Sequence, residues 1–308
     1  MLGKDIRLEV DLGFIKLKNP LILASGTCGY GDEEVFDLNK VGGFVTKSLS
    51  LNPKKGNPPP RIYETPCGML NSIGLENIGI ERFLKEKLPK LSSLSTAIIV
   101  SIYGHSIDEY GEVAKRLRGI KEIAAIEVNI SCPNVKEGGI MFGSDPSLSA
   151  KIVETVLKNT DRPVIVKLTP NVTDIKPIAK AVESAGADAI SLINTLRGMA
   201  VDVERRRPVL GNVYGGLSGP AIRPVALYMT YEVVKSVRIP VIGCGGIVDW
   251  RSALEFLIVG ARAIQIGTAN LINPKSAEEI LQGIREFCKK KEIKDISEII
   301  GSIREGGS

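Results

Sequence analysis

The sequence predicts an α/β fold, a (β/α)8 TIM barrel with an N-terminal hairpin and long loops at its C-terminal face. Eight short, β-branched apolar runs alternate with about eight helical stretches along 308 residues, the element count and length typical of such a barrel. Nearly every residue of each run is apolar, as expected of parallel strands covered on both faces. A doubly wound open sheet is the alternative, but the first turn, Ala24 to Gly29, lacks the Gly-x-Gly-x-x-Gly pattern of that fold.

The order of elements follows from these runs. The predicted strands are Leu21 to Ala24, Gly43 to Thr46, Ala97 to Ile102, Ile126 to Ile130, Val164 to Leu168, Ala189 to Ile193, Val241 to Gly243 and Ala263 to Gly267. Helical periodicity predicts helices at Ile107 to Ile120, Pro146 to Asn159, Ile175 to Ala185, Arg223 to Val237 and Trp250 to Val259. Asp145 and Asp249 have N-cap character, and Gly186 and Gly260 suit helix C-terminal ends. The alternating segment from Leu8 to Leu17 predicts a hairpin that closes the bottom of the barrel.

Composition and charge exclude several function classes. Lys and Arg number 40 and Asp and Glu number 35, a net charge of +5, which is small for a nucleic-acid binder with its basic stripe. The five cysteines are scattered without a Cys-x-x-Cys pair, so neither a disulfide framework nor a zinc or iron–sulfur site is indicated. The single histidine, His105, excludes a two-histidine metal site. We predict no metal.

The same features set expectations about organisation and location. We predict one barrel domain over residues 1–308, because barrels of roughly 250 residues form single domains. No apolar run approaches the roughly 18 residues of a membrane span, and Met1 to Arg7 lack the apolar stretch of a signal peptide. We therefore expect a cytoplasmic protein with reduced thiols and no membrane contact.

Three connections after predicted strands are long enough to suggest function. They run from Ser48 to about Leu75, from Thr195 to about Gly219, and from Cys132 to Ser144. Loops beyond about 12–15 residues are usually functional, and barrels place active sites at the C-terminal ends of their strands. The third loop holds three glycines and could serve as a lid.

Glycine-rich turns end predicted strands seven and eight, at Gly243 to Gly246 and at Gly267 to Thr268. Barrels often bind phosphate with the loops after these strands, where backbone N–H groups face the anion. Tight connecting turns would also use glycine. Two such turns on consecutive strands nevertheless favour a phosphorylated ligand.

Two lysines stand within or at the end of predicted strands whose side chains should be shielded from water. Lys167 lies inside the apolar run Val164 to Leu168, where an unpaired ammonium is costly. It therefore either pairs with a carboxylate such as Glu127 or faces an anionic ligand in the barrel mouth. Lys47 ends strand two in a similar way, at a position where a solvated lysine is also reasonable.

Amides and thiols also stand at strand ends. The asparagines are Asn71, Asn129, Asn134 and Asn194. Each alone suits a turn, but four around one mouth favour a flat heterocycle with C=O and N–H edges. Cys132 follows strand four and, like Cys28 and Cys244, is either a small buried hydrophobe or a thiol that could act as a base.

Longer motifs extend these observations across the chain. They are Gly56 to Arg61 with its triple proline, Glu64-Thr65-Pro66, Asn71 to Leu75, Asn129 to Val135, Lys167 to Asp174, Ile193 to Met199 and Gly215 to Ile222. Together they resemble the dihydroorotate dehydrogenase family, in register from about residue 5 to about residue 290. The triple proline followed by Glu-Thr-Pro is most similar to class 1B, the catalytic subunit of the two-subunit NAD-linked type.

The resemblance implies an FMN-containing barrel enzyme that oxidises dihydroorotate to orotate in de novo pyrimidine biosynthesis. It implies that Cys132 is the base that removes the C5 proton, while the C6 hydride passes to the flavin. The implied substrate-binding residues are Lys47, Asn71, Ser72, Ile73, Gly74, Leu75, Asn129, Asn194 and Thr195, with Asn134 adding a contact. The implied FMN-binding residues are Ser25, Lys47, Ser48, Ser101, Asn129, Lys167, Ile193, Gly219, Gly245, Gly246, Gly267 and Thr268. Lys167 would stabilise the negative charge of reduced FMN.

Some positions depart from the family pattern. Ser101 stands where relatives often have Asn, and Cys67 and Cys244 stand where Gly and Met are expected. His105 has no role that the family implies, and a surface or helix-cap position suits it.

The resemblance also implies a partner, because this chain lacks the cysteine spacing of an iron–sulfur cluster and a dinucleotide fingerprint. It implies an electron-transfer subunit that carries FAD and [2Fe–2S], in a heterotetramer of two catalytic and two electron-transfer subunits built on a homodimer of this chain. The alternatives are the homodimeric, fumarate-linked class 1A enzyme, a flavin barrel acting on tRNA uridines, and a non-catalytic paralogue.

Overall fold

Eight parallel strands close into a barrel in the computed structural model, which describes residues 6–31, 35, 37–131, 136–137, 140–304 and 306. The barrel strands are β1 (Leu21–Leu23), β2 (Gly43–Val45), β3 (Ala97–Ile102), β4 (Ile123–Asn129), β5 (Val164–Lys167), β6 (Ala189–Leu192), β7 (Val241–Cys244) and β8 (Ala263–Ile266). Each strand pairs with the next, and β8 pairs with β1 to close the ring. The predicted (β/α)8 barrel is therefore confirmed.

All eight strands lie where the apolar runs predicted them. The largest difference is in β4, which begins at Ile123 rather than Ile126, because Ile123 and Ala125 pair with β3 across an irregularity in the register. Burial of both strand faces explains the apolar runs, since the side chains of Ile98 to Ile102 are all buried.

Helices fill the connections between the strands. They are Ile107–Arg116, Pro146–Asn159, Lys176–Ser184, Arg223–Val234, Trp250–Ile258, Thr268–Ile272 and Ser276–Lys290, together with a segment made of Ile80–Arg82, Phe83–Lys87 and Leu88–Leu91. Single 3₁₀ turns lie at Leu38–Lys40, Phe142–Ser144, Pro220–Ile222 and Ile296–Glu298. Asp145 accepts from the Leu148 N–H at 2.8 Å and so caps its helix as predicted. Asp249 forms a capping box with Ser252.

The N-terminal hairpin is present, with Val10–Asp11 paired antiparallel to Lys16–Leu17. Leu12 and Leu17 are each only 1% exposed. A Cβ atom at Gly42, immediately before β2, would lie 3.2 Å from the Leu17 Cβ. The hairpin therefore packs against the N-terminal end of the barrel strands, opposite the end expected to carry the site.

The first two long connections combine into one antiparallel sheet. Its strands, in spatial order, are Leu196–Gly198, Gly215–Ser218, Gly68–Asn71 and Ile62–Thr65. Gly216 lies opposite Asn71, and Leu217 lies opposite the buried Leu70. Local patterns could not predict this sheet, because its two inner strands are separated by more than a hundred residues. We refer to these four strands as the loop sheet.

In the third long connection, the backbone of Lys136–Glu137 pairs with that of Ile140–Met141, and its function as a lid stays a prediction. A single domain over residues 1–308 also stays a prediction. Across the described residues, no helix has the length and apolar character to span a membrane.

Candidate active site

A cavity of about 350 Å³ opens at the C-terminal ends of the barrel strands. Glu127, Asn129 and Lys167 at the ends of β4 and β5 line its inner part, and Asn71 and Gly216 contribute from the loop sheet. Its volume falls within the roughly 300–1,000 Å³ of cofactor and ligand pockets. The loop sheet therefore forms one wall of a pocket whose base is the barrel.

Most of the sequence-predicted site residues meet in this cavity. Those that line it are Ser25, Lys47, Ser48, Asn71, Ser72, Ile73, Gly74, Leu75, Asn129, Lys167, Ile193, Asn194, Thr195, Gly219, Gly245, Gly246, Gly267 and Thr268. Ser101 is fully buried behind the lining, and its hydroxyl lies 2.8 Å from the Ser48 Oγ. Cys132 and Asn134 lie outside the described residues.

Glycines form one end of the cavity. Gly246 adopts a φ of +71°, and a Cβ there would lie 2.7 Å from the Arg223 Cβ and 2.9 Å from the Arg223 nitrogen. Thr268 closes the wall beside them, because its hydroxyl lies 2.8 Å from the Ser218 Oγ. This end thus presents backbone with few side chains, as an anion-binding turn does.

A chain of hydrogen bonds fixes two of the amides that line the cavity. Asn194 Nδ2 donates to the Ser131 Oγ, and the Ser131 hydroxyl donates to the Asn129 Oδ1 at 2.6 Å. Asn129 Nδ2 in turn donates to the Ser48 Oγ at 3.3 Å. Because each group has a partner, the amides are held in one orientation toward the cavity.

Two lysines bring positive charge to the cavity. Lys47 reaches over the first turn, since a Cβ at Gly26 would lie 3.5 Å from its Nζ. Lys167 is 7% exposed, and its ammonium donates to the Gln265 Oε1. Gln265 Nε2 then donates to Glu127 at 2.6 Å. The Gln265 amide therefore lies between Lys167 and Glu127. The two side chains do not form the direct ion pair that was one of the two arrangements the sequence left open.

The sequence interpretation missed some of these groups. Gln265 interrupts the apolar strand β8 just as Lys167 interrupts β5, so the same signal could have found it. Ser131 gave no such signal, since it follows a strand like many turn serines. The peptide bond between Leu192 and Ile193, at the end of β6, is cis, which no local pattern indicated. The apolar lining residues that the sequence did not predict are Ala24, Ile62, Met69, Tyr214, Ile222, Ile247, Val248, Ala269 and Leu271.

The remaining histidine and cysteines occupy different surroundings. His105 is exposed directly before the helix N-cap Ser106, a surface position as expected. Cys28 is fully buried and thus a small core hydrophobe, whereas Cys244 lines the cavity and Cys67 is exposed. Nothing in the structure explains Cys67 or Cys244 in place of the expected Gly and Met. Among the described residues, no three His, Cys, Asp or Glu side chains group to hold a metal ion.

Comparison with known proteins gives one family. The family model for dihydroorotate dehydrogenase matches residues 7–288. A protein of Trichlorobacter lovleyi named dihydroorotate dehydrogenase B (NAD(+)), catalytic subunit, is 55% identical over 298 residues, 96% of this chain and 98% of that protein. Proteins of the same name from Geotalea daltonii and Thermoanaerobacter pseudethanolicus are each 53% identical, over 96% and 97% of this chain and 98% and 99% of their own lengths. The chain thus belongs to the dihydroorotate dehydrogenase family, and the resemblance seen in its sequence is confirmed.

Proposed function

We propose that this chain is the FMN-containing catalytic subunit of an NAD-linked dihydroorotate dehydrogenase, which oxidises dihydroorotate to orotate in pyrimidine biosynthesis. One observation carries the proposal. A single cavity joins a glycine wall suited to a phosphate with two ammonium groups and several fixed amides suited to a small anionic heterocycle. The relatives at 53% to 55% identity carry the name of this enzyme and of this subunit.

The donor chemistry of the cavity fits FMN. Gly246 leaves no room for a side chain on its own wall, and it would hold the phosphate together with Gly245, Gly267 and Thr268. The polar edge of the flavin ring would be bound by the hydroxyls of Ser25 and Ser48 and by the ammonium of Lys167. Ile193 and Gly219, which line the same cavity, would contact the flavin. Ser101 would act through its hydrogen bond to Ser48. When bound, FMN supplies the acceptor for the two electrons that leave the substrate.

The opposite part of the cavity would bind dihydroorotate. Lys47 offers its ammonium to the substrate carboxylate, and the loop from Asn71 to Leu75 encloses the ring. Asn129 and Asn194 present amide donors and acceptors to the C=O and N–H edges, with Thr195 beside them. Since hydrogen bonds already hold both amides, little ordering is needed when the substrate enters.

Cys132 would be the general base that takes the C5 proton. The thiolate, not the thiol, is the basic form of cysteine, so the site must favour its anion. Support comes from Ser131, its described neighbour in sequence. Ser131 is 4% exposed and hydrogen bonded to both cavity amides, Asn129 and Asn194.

A separate electron-transfer subunit follows from the name catalytic subunit that the relatives carry. We propose that this partner carries FAD and [2Fe–2S], and that two copies of it join a homodimer of this chain. Among the described residues, Cys28, Cys67, Cys244 and Cys288 form no disulfide, which is consistent with a reducing compartment and supports a cytoplasmic location. Light scattering on the co-purified complex should give the mass of two chains of each kind.

An anaerobic titration tests the function. Dihydroorotate added to the purified yellow protein should bleach the flavin absorbance, and NAD should restore it only when the partner subunit is present. If fumarate restores the absorbance of the isolated chain, the enzyme is of the class 1A type. Tight, salt-sensitive tRNA binding without bleaching by dihydroorotate would favour the tRNA-uridine alternative, and a protein that holds no flavin would be a non-catalytic paralogue.

A further inference from the structure

A set of buried polar side chains crosses the interior of the barrel at the base of the cavity, where two of them, Glu127 and Lys167, form part of the lining. Glu127 comes from β4, Lys167 from β5, Ser191 from β6 and Gln265 from β8. Their exposures are 1%, 7%, 0% and 0%. β4 and β8 stand on opposite sides of the ring, so Gln265 connects two sides of the barrel. Such a set is unusual, because barrel interiors are commonly filled by branched apolar residues.

The hydrogen bonds of this set allow only one orientation of the Gln265 amide. An ammonium can only donate and an ionised carboxylate can only accept. The amide oxygen must therefore face Lys167 and the amide nitrogen must face Glu127, as observed. Ser191 donates to the same carboxylate oxygen at 2.9 Å. Glu127 thus fixes Gln265, and Gln265 fixes the ammonium of Lys167.

We propose that Gln265 and Glu127 are positioning residues, which hold Lys167 toward bound FMN and raise the reduction potential of the cofactor. The inference rests on the proposed function, since it needs FMN in the cavity. Its physical basis is the amide between the two charges. A direct ion pair would place the carboxylate against the ammonium and offset its positive charge, whereas the interposed amide keeps the two charged groups of the cavity lining apart.

The location of Lys167 explains why its position matters. Its side chain lines the cavity and is nearly buried, and charges interact more strongly in such surroundings than in water. A cation held beside the cofactor stabilises the negative charge of the reduced form and therefore favours reduction. Glu127, one amide further away, orients the ammonium without cancelling its charge.

The first test is Gln265→Met, which keeps an unbranched side chain of similar length and removes both hydrogen bonds. The midpoint potential of the bound flavin would be measured by anaerobic dye equilibration in the purified holoenzyme. We expect the equilibrium constant for flavin reduction to fall about tenfold, which for a two-electron couple lowers the potential by about 30 mV. The affinity of the apoprotein for FMN, measured by quenching of flavin fluorescence, should fall as well.

A second variant, Gln265→Glu, tests the same idea if Gln265→Met does not fold. Its new carboxylate faces Glu127 and Lys167, and two neighbouring carboxylates resist ionising together. At low pH the two carboxyl groups share one proton, so that the variant side chain can donate to Glu127 and accept from Lys167 as the glutamine does. The flavin potential should then be close to that of the parent. As the pH rises the second negative charge appears, and the potential should fall increasingly below the parent value.

Asn19→Leu is the matched control. Asn19 is 3% exposed at the opposite end of the barrel, where its amide donates to the Lys40 carbonyl. This variant should lose stability but keep the parental potential. If the parent chain binds FMN and bleaches with dihydroorotate while both Gln265 variants keep its potential at all pH values, the inference alone is overturned. A parent chain that binds no FMN overturns the proposed function and this inference with it.

Discussion

Replacing one glycine of the proposed phosphate wall gives a sharp test of how the cavity is built. Gly246→Ala places a methyl group 2.7 Å from the Arg223 Cβ, and 2.9 Å from both the Arg223 nitrogen and the Gly219 oxygen. The left-handed φ of +71° costs an alanine about 1–2 kcal/mol. Backbone atoms must also move to make room, and overpacking of this kind typically costs about 1–3 kcal/mol more.

Gly119→Ala separates these two contributions. Gly119 has a similar φ of +78°, but a Cβ there meets no atom within 4 Å. The Gly119→Ala variant should therefore lose only the conformational contribution of about 1–2 kcal/mol to its unfolding free energy. Urea unfolding of the flavin-free proteins should show a clearly larger loss of unfolding free energy for Gly246→Ala than for Gly119→Ala.

FMN binding provides the second readout. Since Gly219 and Gly246 both line the cavity, a displaced wall should weaken FMN binding to the apoprotein at least tenfold, or about 1.4 kcal/mol. Gly119→Ala should bind FMN as the parent does. Equal destabilisation by the two variants, with parental FMN affinity in both, would refute the idea that close backbone packing forms this wall.

Three further outcomes are expected. Cys132→Ala should remain yellow but lose flavin bleaching by dihydroorotate, and near-normal bleaching would contradict its assignment as the base. Lys167→Ala should weaken or abolish FMN binding, whereas full occupancy with an unchanged potential would remove its proposed role. The Ser297 N–H, and more weakly the Arg7 guanidinium, hold the pKa of Asp295 below its usual range. The stability that ionised Asp295 provides is therefore complete above its unfolded-state pKa of about 3.9 and is lost as the pH falls through its lower folded-state pKa. In urea unfolding, the advantage of the parent over Asp295→Asn should be constant near neutral pH and shrink below about pH 4, and a constant difference down to pH 3 would contradict this.

Local patterns determined the barrel and much of its site. Each strand is a short apolar run because both of its faces are covered, and that requirement is visible residue by residue. Helix ends were equally local, as the caps at Asp145 and Asp249 illustrate. The site residues at strand ends followed from topology, because parallel strands deliver all their C-terminal ends to one face.

Longer motifs decided what local patterns left open. The glycine turns after strands seven and eight indicated only a site for a phosphate group. The buried Lys167 indicated only an anionic ligand or a carboxylate partner. The family resemblance gave the substrate, the cofactor and the identity of Cys132, and the match over residues 7–288 confirmed the family. The residue roles stay predictions that the variants above can test.

Only the tertiary structure revealed the loop sheet and the bonds within the barrel. Leu70 and Leu217 pair across almost half of the chain, and no local propensity encodes such a partner. The sequence likewise placed Lys167 and Glu127 on neighbouring strands but could not show that Gln265, from the opposite side, lies between them. Periodicity records how each segment is buried, whereas the partner of a buried polar group depends on which segments the closed barrel brings face to face.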